Sequence, residues 1–377
     1  MNLRVGIVGL ANVGKSTLFN ALLKKQVAFA ANYPFATIEP NIGVVPVPDV
    51  RLAKLAEITK QEEKMDTLPP VVPAVVEFVD IAGLVKGASE GQGLGNKFLS
   101  HIREVNIICH VVRFFTDSNI VHVAGDVNPE RDREIVETEL MLADLQTLTK
   151  QVEPFGFAQG KPQGKSTKED FERWDVILKL KTGLDAGKLA RDVLTDPEER
   201  LLVRDLQLLT MKPILYVANA SESQLSDTAL QLGTVPILPI CAETEAQLAG
   251  LSEDEQKEYL KSLGLDASGL DRLIQRAYEM LGLLSFLTTG VIESRAWTVE
   301  NGTKAPQAAG VIHTDFEKKF IKADVISFED FINPGGLAPR SLGVGGWKAA
   351  REKGLVRSEG KEYVMKDGEV VEFKIGA

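Results

Sequence analysis

Residues 9–16 read GLANVGKS, which fits the spacing G-x-x-x-x-G-K-[ST] at every position. Such an octapeptide works only where a strand runs into it and a helix leaves it. Its glycines let the backbone turn so that N–H groups point at phosphate oxygens, and the positive end of the helix adds to that field. The flanks comply: an apolar strand pattern covers residues 3–8 and a helical pattern covers 16–23. Asn12, Val13, Gly14, Lys15, Ser16 and Thr17 are therefore expected to hold a nucleotide. Lys15 is expected to reach the β and γ phosphates as a catalytic group, and the Ser16 hydroxyl to bind Mg²⁺.

The remaining length has to be accommodated around that site. A chain of 377 residues exceeds one usual domain, so two or three units are expected. Through residue 128, strands at 75–79 and 107–112 alternate with helical patterns, including 51–58 with Asp49 as its cap. This alternation argues for an α/β domain with a mainly parallel sheet covered on both faces. After Pro129 the character changes. Met141, Leu145, Leu148 and Val152 fall on one helix face, a turn-rich stretch covers 154–170, and Phe171, Trp174 and Leu178 begin a second helical stretch. That stretch continues to Leu209 with a break at 195–197. Residues 129–209 read as an inserted antiparallel, coiled-coil-like helical hairpin, or else as a plain helical subdomain. The α/β domain, 1–128, resumes at 210–282. Residues 285–377 read as an α+β module with a strand at 295–299 and a hairpin turn at Lys366, Asp367 and Gly368, before the alternating run 370–375.

Composition excludes several classes. No run of about 18 apolar residues exists to cross a membrane. The first residues enter a strand pattern rather than a leader. Cys109 and Cys241 lie in apolar runs, as buried thiols of a reducing cytoplasm would. A net charge of −10 argues against DNA and leaves RNA only a local basic face, such as Lys150, Lys161, Lys165 and Lys168, or Lys318, Lys319 and Lys322.

Other residues complete the candidate site. Asp80 closes the strand at 75–79, where a carboxylate would hold Mg²⁺ through water, and the Gly83 N–H would meet the γ-phosphate. Thr37 lies in YPFATIEPN, 33–41, a loop able to close over the metal. After the strand at 214–218, a guanine-reading loop would be Asn-Lys-x-Asp, but here it is Asn219, Ala220, Ser221, Glu222. Guanine gives such an Asp two hydrogens, from N1 and the 2-amino group; adenine gives none. A carboxylate left unpaired there costs several kcal/mol. Glu222 is one methylene too long for the two-pronged grip, and Ala220 removes the packing lysine. The loop is therefore expected to read adenine, with Asn219 helping at the N6/N7 edge, and Cys241 and Ala242 join the nucleotide-binding set. Leu84 stands where many P-loop hydrolases place a water-orienting Gln, so turnover is expected to be slow. Asn12 could hold K⁺ as a charge stabiliser. Among the four histidines, His110 reads as structural within its strand, and His101 as packing the helix after the glycine-rich loop; His122 lies in a loop after the strand at 107–112.

The stretches NVGKST, YPFATIEPN and DIAGLVKGASEGQGLGNKFL resemble the Obg-related P-loop proteins. With HIREV, RAWTV, APQAAGVIHTDFEKKFIKADVISFEDF and DGEVVEF, the resemblance is specifically to the YchF subfamily, the Obg-like ATPases. It covers nearly the whole chain. It implies a nucleotide domain with an inserted helical hairpin and a C-terminal TGS domain of β-grasp shape. It implies an Asn-x-x-Glu loop preferring ATP, and a catalytic histidine that matches His122. It further implies an ATP/ADP switch on the ribosome, at the large subunit through rRNA and ribosomal protein, acting in translation or stress response. The chain departs from the family at Ala11, where proline is usual, and at 154–170 and 337–350. Two alternatives stand beside this reading: a GTP-driven assembly factor of the wider Obg group, and a ribosome-binding module whose nucleotide is structural.

Overall fold

The computed structural model describes residues 3–32, 41–81, 94–117, 119–122, 125–152, 167–225, 230–334 and 345–376. In chain order the strands are β1 (Arg4–Val8), β2 (Ile42–Pro46), β3 (Val71–Val72), β4 (Val75–Asp80), β5 (Ile107–Arg113), β6 (Ile214–Asn219), β7 (Ile237–Ile240), β8 (Leu283–Thr289), β9 (Ser294–Glu300), β10 (Phe320–Ser327), β11 (Arg357–Glu359) and β12 (Glu369–Ile375). Two compact units form. One comprises Met1–Val45 and Glu77–Leu273, the other Pro46–Val76 and Ile274–Ala377.

The first unit holds a sheet in the order β2-β4-β1-β5-β6-β7, with β4, β1, β5, β6 and β7 mutually parallel. β5 is buried at every residue, His110 and Arg113 included, as a central parallel strand covered on both faces is. The register aligns the carboxyl ends: Ile7 pairs with Asp80, Arg113 with Asn219, and Asn219 with Ile240. Every motif expected at a strand end thus emerges at one edge, with β1 between β4 and β5, where open α/β sheets bind ligands.

Between β5 and β6 the helices Pro129–Val152 and Lys168–Asp185 pack as a hairpin around Leu148, Ile177, Leu180 and Leu184. The second arm is shorter than expected. It stops at Asp185, where Gly187 takes φ 76° and its N–H and that of Lys188 bond back to Leu184 and Gly183 carbonyls. Short helices at Ala190–Val193 and Pro197–Leu202, with single 3-10 turns after them, then take the place of the helical stretch expected to reach Leu209 with a break at 195–197. The expected buried face is also rotated. Trp174 is buried, but Phe171 and Leu178 are exposed, and Val176, Ile177 and Leu180 pack inward instead.

The second unit holds a sheet in the order β11-β10-β12-β8-β9-β3. β8 and β9 form an antiparallel hairpin, β12 runs parallel to β8, and the helix Ala305–Ile312 packs on the core with Phe286 and Val325. That is a β-grasp. Asp49 caps the helix Val50–Glu62 as expected, accepting from the Arg51 N–H. This helix and β3 go with the second unit, although the sequence reading counted 46–76 in the nucleotide domain. The expected Asp-Gly hairpin does not form. β12 pairs with β10 and β8, and Asp367 accepts from the Ser285 N–H and from Arg51. Among the described residues no helix is long and apolar enough to cross a membrane.

Candidate nucleotide site

A cleft of about 810 Å³ opens at the carboxyl edge of the first sheet. All the expected nucleotide-binding residues except Val13 line it. Thr37 and Gly83 lie outside the described residues.

The octapeptide adopts the turn its glycines permit. Gly14 takes φ 96°, and a Cβ there would lie 2.1 Å from the Asn219 Nδ2. Asn12 also takes a left-handed φ of 61°, and its Nδ2 donates to the Val121 carbonyl at 3.1 Å. The helix Lys15–Asn32 starts immediately, leaving Ser16 and Thr17 exposed at its first turn. Lys15 is buried and donates to the Leu10 carbonyl at 2.6 Å. Burial lowers its pKa to about 8, against the pull of Asp80. Burial likewise raises the Asp80 carboxyl, and Lys15 opposes that.

Asn219 is more committed than the sequence suggested. Its Nδ2 donates to the Val13 carbonyl at 2.9 Å, its Oδ1 accepts from the Ala242 N–H at 3.0 Å, and its backbone carbonyl accepts from Phe114 at 2.8 Å. It staples the phosphate loop to the base end of the cleft, and both ends of its amide are engaged with protein. Glu222 is turned aside: its Oε2 accepts from Tyr259 at 2.8 Å and Thr244 at 3.1 Å. Cys241 caps the helix Ala242–Leu248, and both cysteines are buried free thiols, as expected.

His122 lies neither in this cleft nor at the surface. It is 5% exposed, and its Nε2 is 2.8 Å from Asp132 Oδ2. It lines an adjoining cavity of about 610 Å³ together with Arg113. His110 is buried in β5, where burial, then Arg133 and Lys15, push its pKa down to about 3, so it is neutral and structural. His101 is exposed on the helix Leu94–Glu104, and His313 accepts from the Asp315 N–H as a cap.

Sequence reasoning missed Phe115, Tyr259 and Arg113. Phe115 lines the cleft, and Tyr259 reaches Glu222 from 37 residues away, a pairing no local pattern reveals. Arg113 did leave a signal: a charge closing the buried run IICHVV, in which only His110 is polar.

Fold and site together define a P-loop nucleotide-binding protein. The pattern "50S ribosome-binding GTPase" matches residues 4–154, and "YchF-GTPase_C", described as a protein of unknown function, matches residues 283–376. The chain belongs to the YchF family. A Bacillus subtilis (strain 168) protein named Ribosome-binding ATPase YchF is 46% identical, with 99% of each chain covered. An Escherichia coli O157:H7 protein of the same name is 47% identical, again over 99% of each. The solved structure of the Schizosaccharomyces pombe YchF GTPase superposes with a TM-score of 0.82 at 38% identity, covering 99% of this chain and 98% of that one.

Proposed function

We propose that this protein binds and slowly hydrolyses ATP, and that the ATP or ADP state governs its association with the ribosome. The names of its relatives divide between ATPase and GTPase, so the base has to be argued from residues. The observation that carries the adenine reading is Glu222. Its carboxylate is held by Tyr259 and Thr244, and Ala220 stands where a guanine loop keeps lysine. Asn219 supports the site as a staple between the loops.

The metal reading fits the donors present. Among the described residues no group of three or more His, Cys, Asp or Glu could hold an ion alone. Mg²⁺ in nucleotide sites characteristically takes one or two protein oxygens and completes its shell with phosphates and water. Ser16, at the start of its helix, and Asp80, at the end of β4, are the groups that would hold it, with Thr37 as a further ligand. Bound there, it would neutralise charge on the phosphates. Lys15 holds a proton next to that position, and Gly83 is the proposed backbone donor to the γ-phosphate. K⁺ at Asn12 is a further proposal, removed by equal rates in Na⁺ and K⁺ buffers. His122 is the proposed water-orienting group, and it reaches the phosphates only after leaving Asp132. The large ribosomal subunit, through rRNA and ribosomal protein, is the proposed partner, with a cytoplasmic role in translation or stress response.

Two measurements test this. In competition binding ATP should win, and GTP tighter by tenfold or more would reverse the reading. Ribosome pelleting with an ATP analogue, ADP or no nucleotide should differ between states. Nucleotide-independent pelleting would favour a structural nucleotide instead.

A further inference from the structure

We infer that Arg113 is a positioning residue of the nucleotide cleft, one guanidinium gripping both the phosphate loop and the facing wall formed by Phe115, Asp117 and Ile120. The inference rests on the nucleotide reading above. Arg113 ends β5, is 1% exposed, and is the largest fully buried side chain among the described residues. Its Nε donates to the Phe115 carbonyl at 3.1 Å, and both terminal nitrogens donate to the Ile120 carbonyl at 3.1 Å. Longer bonds run to Asp117 at 3.4 Å and to the Asn12 carbonyl, in the phosphate loop, at 3.5 Å. The guanidinium also stacks over the Phe115 ring, 4.3 Å from its centroid. Among the described residues no carboxylate forms an ion pair with it.

A buried cation satisfied only by carbonyls is a costly way to end a strand, because its desolvation is not offset by a counter-charge. An apolar residue would fill the same volume. What arginine adds is a rigid planar fork that holds several carbonyls and stacks on a ring at once. Those carbonyls and that ring belong to two sides of one cleft: Asn12 on the phosphate side, and Phe115, Asp117 and Ile120 on the facing side, all four of them lining it. Arg113, which does not itself line the cleft, therefore fixes the distance between the phosphate loop and the Phe115 wall.

The test uses the full chain with Arg113→Lys, which keeps charge and loses the fork, and Arg113→Gln, which keeps a small planar donor. Binding of fluorescent ADP and ATP is titrated against folded protein, with kcat and KM measured alongside. Both variants should weaken nucleotide binding at least tenfold, with KM rising more than kcat falls. In a double-mutant cycle with Phe115→Ala the losses should be less than additive, since that variant already removes the stacking of the guanidinium on the ring and leaves only the carbonyl bonds. Wild-type affinity in a folded Arg113→Lys, or full additivity with Phe115→Ala, overturns the assignment. So does failure of both variants to fold, which would make Arg113 a residue of the fold alone. If the wild-type chain itself binds neither nucleotide, the nucleotide reading fails, and this inference fails with it.

Discussion

Removing the lysine of the phosphate loop should make the empty protein more stable. Lys15 is 7% exposed, and in the absence of phosphate its ammonium has one bond, to the Leu10 carbonyl. Burial lowers its pKa from 10.5 to about 8. At about 1.4 kcal/mol per pH unit, the ammonium is disfavoured in the folded state by on the order of 3 kcal/mol at neutral pH. Lys15→Met keeps most of the volume, removes that cost, and loses one hydrogen bond worth about 1 kcal/mol. A net gain of about 2 kcal/mol is expected in urea denaturation of nucleotide-free protein at pH 7, alongside at least a tenfold loss of ATP affinity. The pH dependence gives the sharper signature. Between about 8 and 10.5 the unfolded chain keeps the Lys15 proton that the folded chain has lost. The unfolded state binds more protons there, so wild-type stability gains with rising pH relative to the variant. The gap should be widest below pH 8 and close towards pH 10.5. A variant less stable than wild type at pH 7, with a gap flat across that window, would refute the reasoning.

Gly14→Ala forces a side chain at φ 96° onto the Asn219 amide 2.1 Å away. A loss of about 3 kcal/mol in stability is expected, with nucleotide binding abolished; near-native affinity by calorimetry would count against the loop geometry. Glu222→Asp combined with Ala220→Lys shortens the carboxylate away from Tyr259 and restores the packing lysine. The preference for ATP over GTP should fall at least tenfold in competition binding, and an unchanged ratio would remove Glu222 from base selection. His122→Ala should lower ribosome-stimulated turnover at least tenfold while leaving the dissociation constant for ATP within threefold. Undiminished phosphate release would exclude His122 from the chemistry.

Much of the nucleotide sheet was legible because β5 and the octapeptide leave few choices. A strand pattern with five apolar residues in IICHVV points to a buried central strand, and GLANVGKS must join a strand to a helix. What was illegible depended on partners far along the chain. Asp367 and Gly368 promise a hairpin, and the turn does form with Gly368 at φ 75°, but β12 pairs with β10 and β8, and a local pattern cannot name those neighbours. The phase of the second hairpin helix failed for the same reason. Phe171, Trp174 and Leu178 share a stripe, yet the partner helix meets the adjacent stripe of Val176, Ile177 and Leu180. In the site, residue types were readable and their engagements were not. The resemblance implied His122 as a catalytic group, and no local pattern signalled that the fold would bury it against Asp132.

The commitment of Asn219 has the widest consequence, because it joins parts of the site that motif reading treats separately. One side chain bonds Val13 in the phosphate loop and Ala242 at the base end, while its carbonyl holds the backbone at Phe114, just before the Phe115 wall. Asn219→Ala deletes two buried bonds and leaves a carbonyl and an N–H unpaired, about 3 kcal/mol in all. Were Asn219 simply a contact to the base, the variant would lose affinity for ATP and ADP but not for inorganic pyrophosphate, which has no base. As a staple, its removal loosens the phosphate cradle too, and pyrophosphate binding should fall at least tenfold with the rest. Calorimetric titration of wild type and variant with pyrophosphate alone separates the two. Unchanged pyrophosphate affinity would return Asn219 to the base and break the link between the two ends of the cleft.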